Sequence, residues 1–202
     1  LEQPEEGTLI ARLANSIYAI HRPAGTDLLV VGHNYDGIHF IDWKNKRQEG
    51  SLHLTKAAIF DIQYGGNELF VADGDGTVIR IDLRSRGILS RTKASEKSAR
   101  TMSINPKTGE LAVGYSDCCI RVYDVDSMRM KYEWNAHENS VFTVRYTPDG
   151  NFLMSGSRDA RLKVWDAQAG YIPAAEVVAH LYAINHIDFS PDSKHFVTCS
   201  MD

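Results

Sequence analysis

The chain has 202 residues, of which 43% are apolar and 24% are charged, and its formal net charge is −4. This composition is typical of a folded globular protein and excludes a disordered or collagen-like chain. The mild acidity argues against a surface devoted to nucleic acid, and no run approaches the roughly 18 apolar residues that a membrane-spanning helix needs.

The cysteines and the first residues bear on the compartment. Cys118, Cys119 and Cys199 are an odd number, two of them are adjacent, and no disulfide framework can be read from them. The opening residues LEQPEEGTLI are acidic where a secretory signal is basic and then apolar. Both features favour a reducing compartment, so we expect a cytoplasmic protein that does not bind a membrane.

One sequence unit recurs along the chain. Copies lie at residues 21–42, 63–82, 104–124 and 141–166, and a fifth starts near residue 184. The aspartates that close the third strand of each copy stand 40, 42 and 42 residues apart, and the turn prolines stand 42 and 43 apart. These residues are Asp42, Asp82, Asp124 and Asp166, with Pro106, Pro148 and Pro191. Markers that keep one register predict a repeat architecture.

Each copy is predicted to form strands. Runs of Val, Ile, Phe, Tyr and Leu are bounded by Gly, Pro, Asn and Asp, which is typical of strands joined by tight turns. The Asp75–Gly76 pair lies between two such runs and favours a hairpin. A fourth, more polar strand fits after each closing aspartate, as at residues 130–134, and suits an outer edge.

A four-stranded sheet of this size cannot bury both faces alone, whereas copies stacked around an axis can. The sequence therefore predicts an all-β fold, a β-propeller of four-stranded antiparallel blades, with about four and a half blades in this chain. We expect a single domain over residues 1–202. Its blades are predicted at residues 16–54, 58–94, 99–135 and 141–180, with a partial blade at 184–202.

Two segments carry a resemblance to a known family. The run SGSRDARLKVWD at residues 155–166 and the preceding AHENSVFTVRYTPDG at 136–150 resemble the WD-repeat family of β-propellers. The resemblance extends from about residue 18 to residue 202. It implies a seven-bladed ring, which at this repeat length needs about 294 residues, so we expect a longer propeller in which residues 7–13 add a strand to the last blade.

The resemblance also implies a buried hydrogen-bonded tetrad of His, Ser or Thr, Asp and Trp in a blade. The fourth copy matches all four positions, and the fifth copy matches three. These residues are His137, Ser155, Asp159 and Trp165, then His180, Thr198 and Asp202. The third copy keeps Asp117 with Tyr123 in place of Trp, and the second keeps Asp75. We therefore expect the first three blades to rely on apolar packing.

The first strand of the fourth copy departs from strict alternation. Val141, Val144 and Tyr146 are apolar with one extra residue between the first two, which predicts a β-bulge at the rim of the sheet. The equivalent positions hold Tyr18, Phe60, Arg100, Phe142 and Asn185. In the family this column contacts partners, and its aromatic and arginine side chains suit an interface. The alternative is that the aromatic rings pack between blades.

The residues do not favour catalysis or a bound cofactor. The Ser, His and Asp of the tetrad are expected inside one blade, and the run GYSDC at 114–118 lacks the last glycine of a nucleophile elbow. The run DGDGT at 73–77 has Val78 and Arg84 where a calcium loop needs Gly and Glu, so a turn is expected. The scattered histidines predict no metal site.

These features predict a non-enzymatic scaffold that binds a protein or peptide on one face. One alternative is a small-ligand or enzymatic propeller that uses the central channel, with Asp61 and Asp188 as candidates. Another is a structural segment completed by a second chain, with self-association through an open ring. Six basic residues lie between 84 and 100, namely Arg84, Arg86, Arg91, Lys93, Lys97 and Arg100. A local anion or nucleic-acid patch is one interpretation of them, and a charged outer strand that discourages edge pairing is the other.

Overall fold

The computed structural model describes residues 7–202, and the first six residues of the predicted domain lie outside the described part. The described residues form 18 strands and no helix, so the predicted all-β class is confirmed. The strands are β1 (Ile17–His21), β2 (Leu28–His33), β3 (Ile38–Asp42), β4 (Arg47–Leu52), β5 (Ile59–Gly65), β6 (Glu68–Asp73), β7 (Thr77–Asp82), β8 (Ile88–Lys93), β9 (Ala99–Ile104), β10 (Glu110–Tyr115), β11 (Cys119–Asp124), β12 (Met130–Asn135), β13 (Val141–Tyr146), β14 (Phe152–Ser157), β15 (Arg161–Asp166), β16 (Ile172–Val178), β17 (His186–Phe189) and β18 (Phe196–Cys199).

The strands form four sheets of four antiparallel strands and one sheet of two. Within each sheet the strands follow chain order, from β1 to β4, β5 to β8, β9 to β12 and β13 to β16, and β17 pairs with β18. We call these five sheets blades one to five. Each full blade is a meander whose neighbouring strands are joined by short turns, as the repeated turn residues predicted.

The repeated aspartate caps the turn between the third and fourth strands. The carboxylate of Asp42 accepts the backbone N–H of Asn45 at 2.9 Å, Asp82 accepts that of Ser85 at 2.7 Å, and Asp124 accepts that of Ser127 at 2.9 Å. A side chain that satisfies a free N–H three residues ahead fixes a tight turn. This function accounts for the aspartate at the end of each third strand.

The hydrophobic core lies between consecutive blades. One buried cluster joins Val30 and Phe40 of blade one to Ile62 and Leu69 of blade two, and equivalent clusters join blades two and three, three and four, and four and five. Each sheet therefore buries its faces against its neighbours in the chain. Sheets stacked in this sequential manner are arranged as consecutive blades of a β-propeller.

Hydrogen bonds also connect the innermost strands of neighbouring blades. The hydroxyls of Thr101 and Ser103 on β9 accept the backbone N–H groups of Val144 and Tyr146 on β13, at 3.2 and 3.0 Å. A backbone donor that faces a neighbouring sheet is thereby satisfied without water. These bonds fix the relative register of blades three and four around the axis.

The structure differs from the sequence prediction at two segments. Residues 7–13 form no strand, so their contribution to another blade stays a prediction. The outer strand β16, with the sequence IPAAEVV, is exposed along its whole length but apolar except for Glu176, so the expectation of a polar fourth strand is wrong in blade four. No helix in the described residues is long and apolar enough to span a membrane.

Candidate functional site

The first strand of each full blade contains an irregularity at one residue. The pairing of β1 with β2 skips Tyr18, and the pairing of β5 with β6 skips Phe60. Equivalent shifts skip Arg100 on β9 and Phe142 on β13. The predicted bulge is confirmed, and it recurs in all four blades. Because a bulge turns its extra side chain out of the regular alternation, all four point to the same rim.

These bulged residues come together around one recess. Tyr18, Phe60, Arg100 and Phe142 line a depression of about 260 Å³, and Asn185, just before β17, lines it as well. All five residues predicted for partner contact therefore share one surface. Tyr18 is 54% exposed, so its ring is accessible from solvent.

Arg100 lies at the centre of this aromatic group. Its guanidinium carbon is 4.5 Å from the ring centroid of Phe60 and 4.6 Å from that of Phe142. The ring of Tyr18 lies beyond Phe60, with centroids 5.8 Å apart. Cation–π contacts of this kind hold a guanidinium plane in place. We call Tyr18, Phe60, Arg100 and Phe142 the aromatic–arginine cluster.

The inner wall of the recess contains further charged groups. An oxygen of Asp61 accepts the backbone N–H of Met102 at 2.5 Å, and Arg145 donates to the carbonyl of Met102 at 3.4 Å. Burial raises the pKa of Asp61, although the Met102 N–H and Arg145 act in the opposite direction. Burial and Arg145 lower the pKa of His186, which also lines the recess.

A separate polar network lies inside blade four. The hydroxyl of Ser155 accepts the indole N–H of Trp165 at 2.9 Å and lies 2.8 Å from Nε2 of His137. Nδ1 of His137 lies 3.0 Å from Asp159. The distances fit a series of hydrogen bonds in which Trp165 donates to Ser155 and Ser155 donates to Nε2 of His137. The N–H at Nδ1 of His137 then donates to Asp159. The two ring nitrogens of His137, the Ser155 hydroxyl and the indole N–H of Trp165 thus all have a partner.

Burial and charge determine the ionisation of this network. Burial lowers the pKa of His137, although Asp159 acts in the opposite direction. Burial alone would raise the pKa of Asp159, but the backbone N–H groups of Arg161 and Glu138 and the ring of His137 outweigh it and lower the pKa. Ser155 is fully buried, so its hydroxyl is not accessible to a substrate, and the network is suited to stabilising the blade.

Blade five repeats part of this network. His180 lies 2.9 Å from both Thr198 and Asp202, through its two ring nitrogens. The carboxylate of Asp202 also accepts the backbone N–H of Leu181 at 2.8 Å. The Leu181 N–H, the Ser200 hydroxyl and the His180 imidazole lower the pKa of Asp202 to about 2.

The expectation that blades one to three rely on apolar packing fits blade two, where Val71 and Ile81 are buried in an apolar cluster, but not blades one and three. In blade three, Asp117 accepts hydrogen bonds from Ser95 at 2.7 Å and Arg121 at 2.9 Å, and the hydroxyls of Tyr115 and Tyr123 lie 3.0 Å apart. Blade three thus has other polar groups in place of the absent Trp and His.

Blade one uses two histidines instead. Nε2 of His33 lies 2.6 Å from Nε2 of His39, and the backbone N–H of Tyr35 donates to Nδ1 of His33. Nδ1 of His39 lies 2.7 Å from the hydroxyl of Ser51. The ring centroids are 4.7 Å apart and the planes 17° apart, and the short N···N distance fits a hydrogen bond in which one ring N–H donates to the other ring nitrogen.

His53 is a residue that the sequence reasoning missed. It stands 22 residues before Asp75, the separation that also relates His137 to Asp159. In the structure its side chain is 74% exposed and pairs with Asp36 at 2.7 Å. Positions 71 and 81, which correspond to Ser155 and Trp165, hold Val and Ile. Without those polar groups, a buried histidine in blade two would lack a second partner.

The basic residues between 84 and 100 do not form one patch. Arg86 pairs with Glu49 at 3.2 Å, Arg91 donates to the carbonyl of Leu54, and Lys93 pairs with Glu96 at 2.8 Å. Local partners thus engage half of these side chains separately, and Arg100 belongs to the recess. The other two, Arg84 and Lys97, lie in the segments before and after β8, so the six side chains are spread over separate places rather than collected in one nucleic-acid site.

The DGDGT run forms the predicted turn. One oxygen of Asp73 accepts the backbone N–H groups of Asp75 and Thr77 at 3.0 and 2.9 Å. The Asp73 carboxylate therefore caps the backbone of the turn. Within residues 7–202, no group of three or more His, Cys, Asp or Glu has the geometry to hold a metal ion.

The fold and the tetrad define a class of repeat protein with four-stranded antiparallel blades. A family model described as "WD domain, G-beta repeat" matches residues 128–166 and 173–202, which contain the His137–Asp159 and His180–Asp202 pairs. The matched residues thus have the sequence of WD repeats, and relatives described as WD repeat-containing proteins support the same family for the chain.

Relatives with this description come from distant organisms. An uncharacterised WD repeat-containing protein of Schizosaccharomyces pombe is 26% identical over 143 residues, which is 71% of this chain and 35% of the relative. LEC14B protein of Lithospermum erythrorhizon is 35% identical over 97 residues, or 46% of this chain and 20% of the relative. WD repeat-containing protein 1 of Mus musculus is 33% identical over 94 residues, or 46% and 16%. The chain spans about a third or less of the length of these relatives.

Proposed function

We propose that this chain is part of a non-enzymatic scaffold that holds a protein or peptide against the recess lined by the aromatic–arginine cluster. One observation carries the proposal: four consecutive blades direct their bulged residue to the same rim. WD-repeat proteins generally bind other proteins, which supports the same role. Aromatic and arginine side chains grouped at the centre of a surface are the usual anchors of an interface.

We further propose that residues 1–202 form a single propeller domain within a seven-bladed ring, with residues 7–13 completing the last blade. The cytoplasm is the proposed location, because the three cysteines are free in the structure. An experimental structure of the intact protein and fractionation of its source cells check these two points.

The use of the central channel for a small ligand has weaker support. Asp61, the first candidate, accepts hydrogen bonds from backbone groups of its own and the neighbouring blade, which gives it a structural function. Asp188 is exposed on β17 and likewise bonds to the adjacent backbone N–H of Phe189.

Photo-crosslinking in the source cells tests the proposed surface. A photoreactive phenylalanine analogue in place of Phe142 should form an adduct with a protein partner, and Phe60→Ala in the same chain should reduce the yield at least several-fold. Phe152 is the matched control, because it belongs to the same blade but lies at the opposite end of the strands, where Leu153 pairs with Tyr146. The analogue at position 152 should give no such adduct.

The stability of the variants completes this test. Phe60→Ala and Phe142→Ala should leave the Tm nearly unchanged, because both rings are only partly buried. A large fall in Tm for both would mean that the rings are interblade core. Adducts of equal yield from positions 142 and 152 would also contradict the proposed surface.

A further inference from the structure

The guanidinium of Arg100 lies among aromatic rings without a polar partner. Among residues 7–202, no hydrogen bond or ion pair to its side chain is found, although the residue is half-buried. Burial is the sole cause that lowers the pKa of Arg100, with no contribution from a nearby charge. The residue is partly exposed, so water can reach its N–H groups, and an anion that replaces this water gains charge-assisted hydrogen bonds.

The rings of Phe60 and Phe142 arrange this donor group in advance. They lie on the guanidinium from blades two and four, and a phenyl ring provides no oxygen or nitrogen acceptor for its N–H groups. A planar fork of this kind matches the two oxygens of a carboxylate. Because the side chain is already held by the rings, little conformational entropy is lost when an anion binds.

The other arginine of the recess is engaged differently. Arg145 donates to the carbonyl of Met102, and the carboxylates of Asp61 and Asp188 both act on the adjacent His186. Arg100 is thus the cation of the recess without a hydrogen bond or ion pair to the described residues, and Asp61 lines the same recess. An acidic group nearby favours a ligand of smaller negative charge, a carboxylate over a phosphate dianion.

We propose that Arg100 is the specificity-determining residue of the recess, and that it binds the carboxylate of an Asp or Glu side chain in an extended peptide segment of the partner. This inference rests on the proposed function, since it names the chemistry of the partner at the same surface. The aromatic rings around Arg100 would contact the apolar residues that flank the acidic one.

Selection from a phage-displayed library of random seven-residue peptides on the intact protein tests this proposal. The wild-type protein should enrich peptides that share an Asp or Glu at one position. In synthetic peptides made from the selected sequences, replacement of that residue by Asn or Gln should weaken the Kd about 10- to 100-fold. This comparison needs no protein variant, so it does not depend on how a substitution folds.

Variants of the protein then assign the effect to Arg100. Arg100→Met keeps the length and apolar contacts of the side chain but removes its donors, and should make the Glu and Gln peptides bind equally. Arg100→Lys keeps the charge without the fork and should retain only part of the preference. Arg129→Met, at an exposed turn before β12, is the matched control and should leave the Kd unchanged.

The outcomes separate the two proposals. If the wild-type protein selects no peptides, the proposed peptide-binding function fails. If it selects peptides without an acidic position, or if the acidic preference survives Arg100→Met, the function stands and the role of Arg100 is wrong. If a phosphoserine peptide binds more than 10-fold more tightly than the Glu peptide, the ligand is a phosphate, and the proposed carboxylate is wrong.

Discussion

One serine hydroxyl connects the buried polar side chains of blade four. Ser155 contacts both Trp165 and His137, and all three residues are at most 4% exposed. A buried imidazole or indole N–H that loses its partner retains the full cost of leaving water. The stability of the blade should therefore depend on His137 more than its contact area suggests.

We predict that His137→Ala lowers the free energy of unfolding by about 1–3 kcal/mol, because Ser155 and Asp159 each lose a buried partner. Urea denaturation followed by tryptophan fluorescence measures the change. His195→Ala, at an exposed position in blade five, is the control and should have little effect. An unchanged urea midpoint for the His137 variant would remove the structural role assigned to this network.

The sequence predicts this residue-level network only where all its members are present. The spacing of 22 residues between His137 and Asp159 also occurs between His53 and Asp75, but the structure pairs His53 with Asp36 instead. Burial of a histidine costs free energy unless both of its ring nitrogens form hydrogen bonds with neighbouring groups. The spacing alone therefore cannot locate a tetrad, and the substitute pairs of blades one and three have no family motif to reveal them.

At the scale of single strands, three second strands carry a glycine that faces the next blade. A Cβ atom at Gly32 would lie 2.4 Å from Ile59, and one at Gly114 would lie 2.7 Å from Val141. At Gly156 it would lie 2.6 Å from Ile184 and 2.9 Å from Thr143. Each glycine thus provides the space into which the β-branched residue at the start of the next blade packs.

We predict that Gly156→Ala lowers the free energy of unfolding by about 1–3 kcal/mol, because the added methyl group overpacks the contact with Ile184. Thermal and urea unfolding measure this change. The double variant Gly156→Ala with Ile184→Ala should be more stable than the sum of the two single effects predicts. Gly87→Ala, where the nearest atom is the Ser85 hydroxyl at 3.2 Å rather than a neighbouring blade, is the control, and equal losses at positions 87 and 156 would contradict the packing argument.

The sequence predicts most strand elements because each turn and bulge is specified locally. The recurrent aspartate, the Asp–Gly pairs and the extra residue after Val141 act within a few residues of their own position. The contacts between blades depend instead on residues about 42 positions apart, such as Thr101 with Val144. Such pairs, and the tight fit at Gly156, become visible only when neighbouring sheets are placed side by side.

At the scale of the whole molecule, burial of several histidines makes stability depend on pH. Burial is the largest cause that lowers the pKa of each of four histidines from its ordinary value of 6.5: His21, His39, His137 and His186. Below that pH the unfolded chain binds protons that the folded chain does not, so the free energy of unfolding falls as the pH falls. Asp61 acts in the opposite direction, because its raised pKa means that the folded state binds the proton more readily.

We therefore predict that the protein is less stable at pH 5 than at pH 7. The loss should begin near pH 6.5 and continue to the folded-state pKa values, and solvent screening reduces the contribution of the partly exposed imidazoles. Urea midpoints measured at half-unit steps between pH 7.5 and 5 give this profile. His137→Gln should flatten it, whereas the exposed control His195→Gln should not. Asp61→Asn should make the loss steeper, because the opposing proton uptake is removed. A urea midpoint that stays constant or rises as the pH falls from 7 to 5 would show that burial of these imidazoles does not control the stability of the blades.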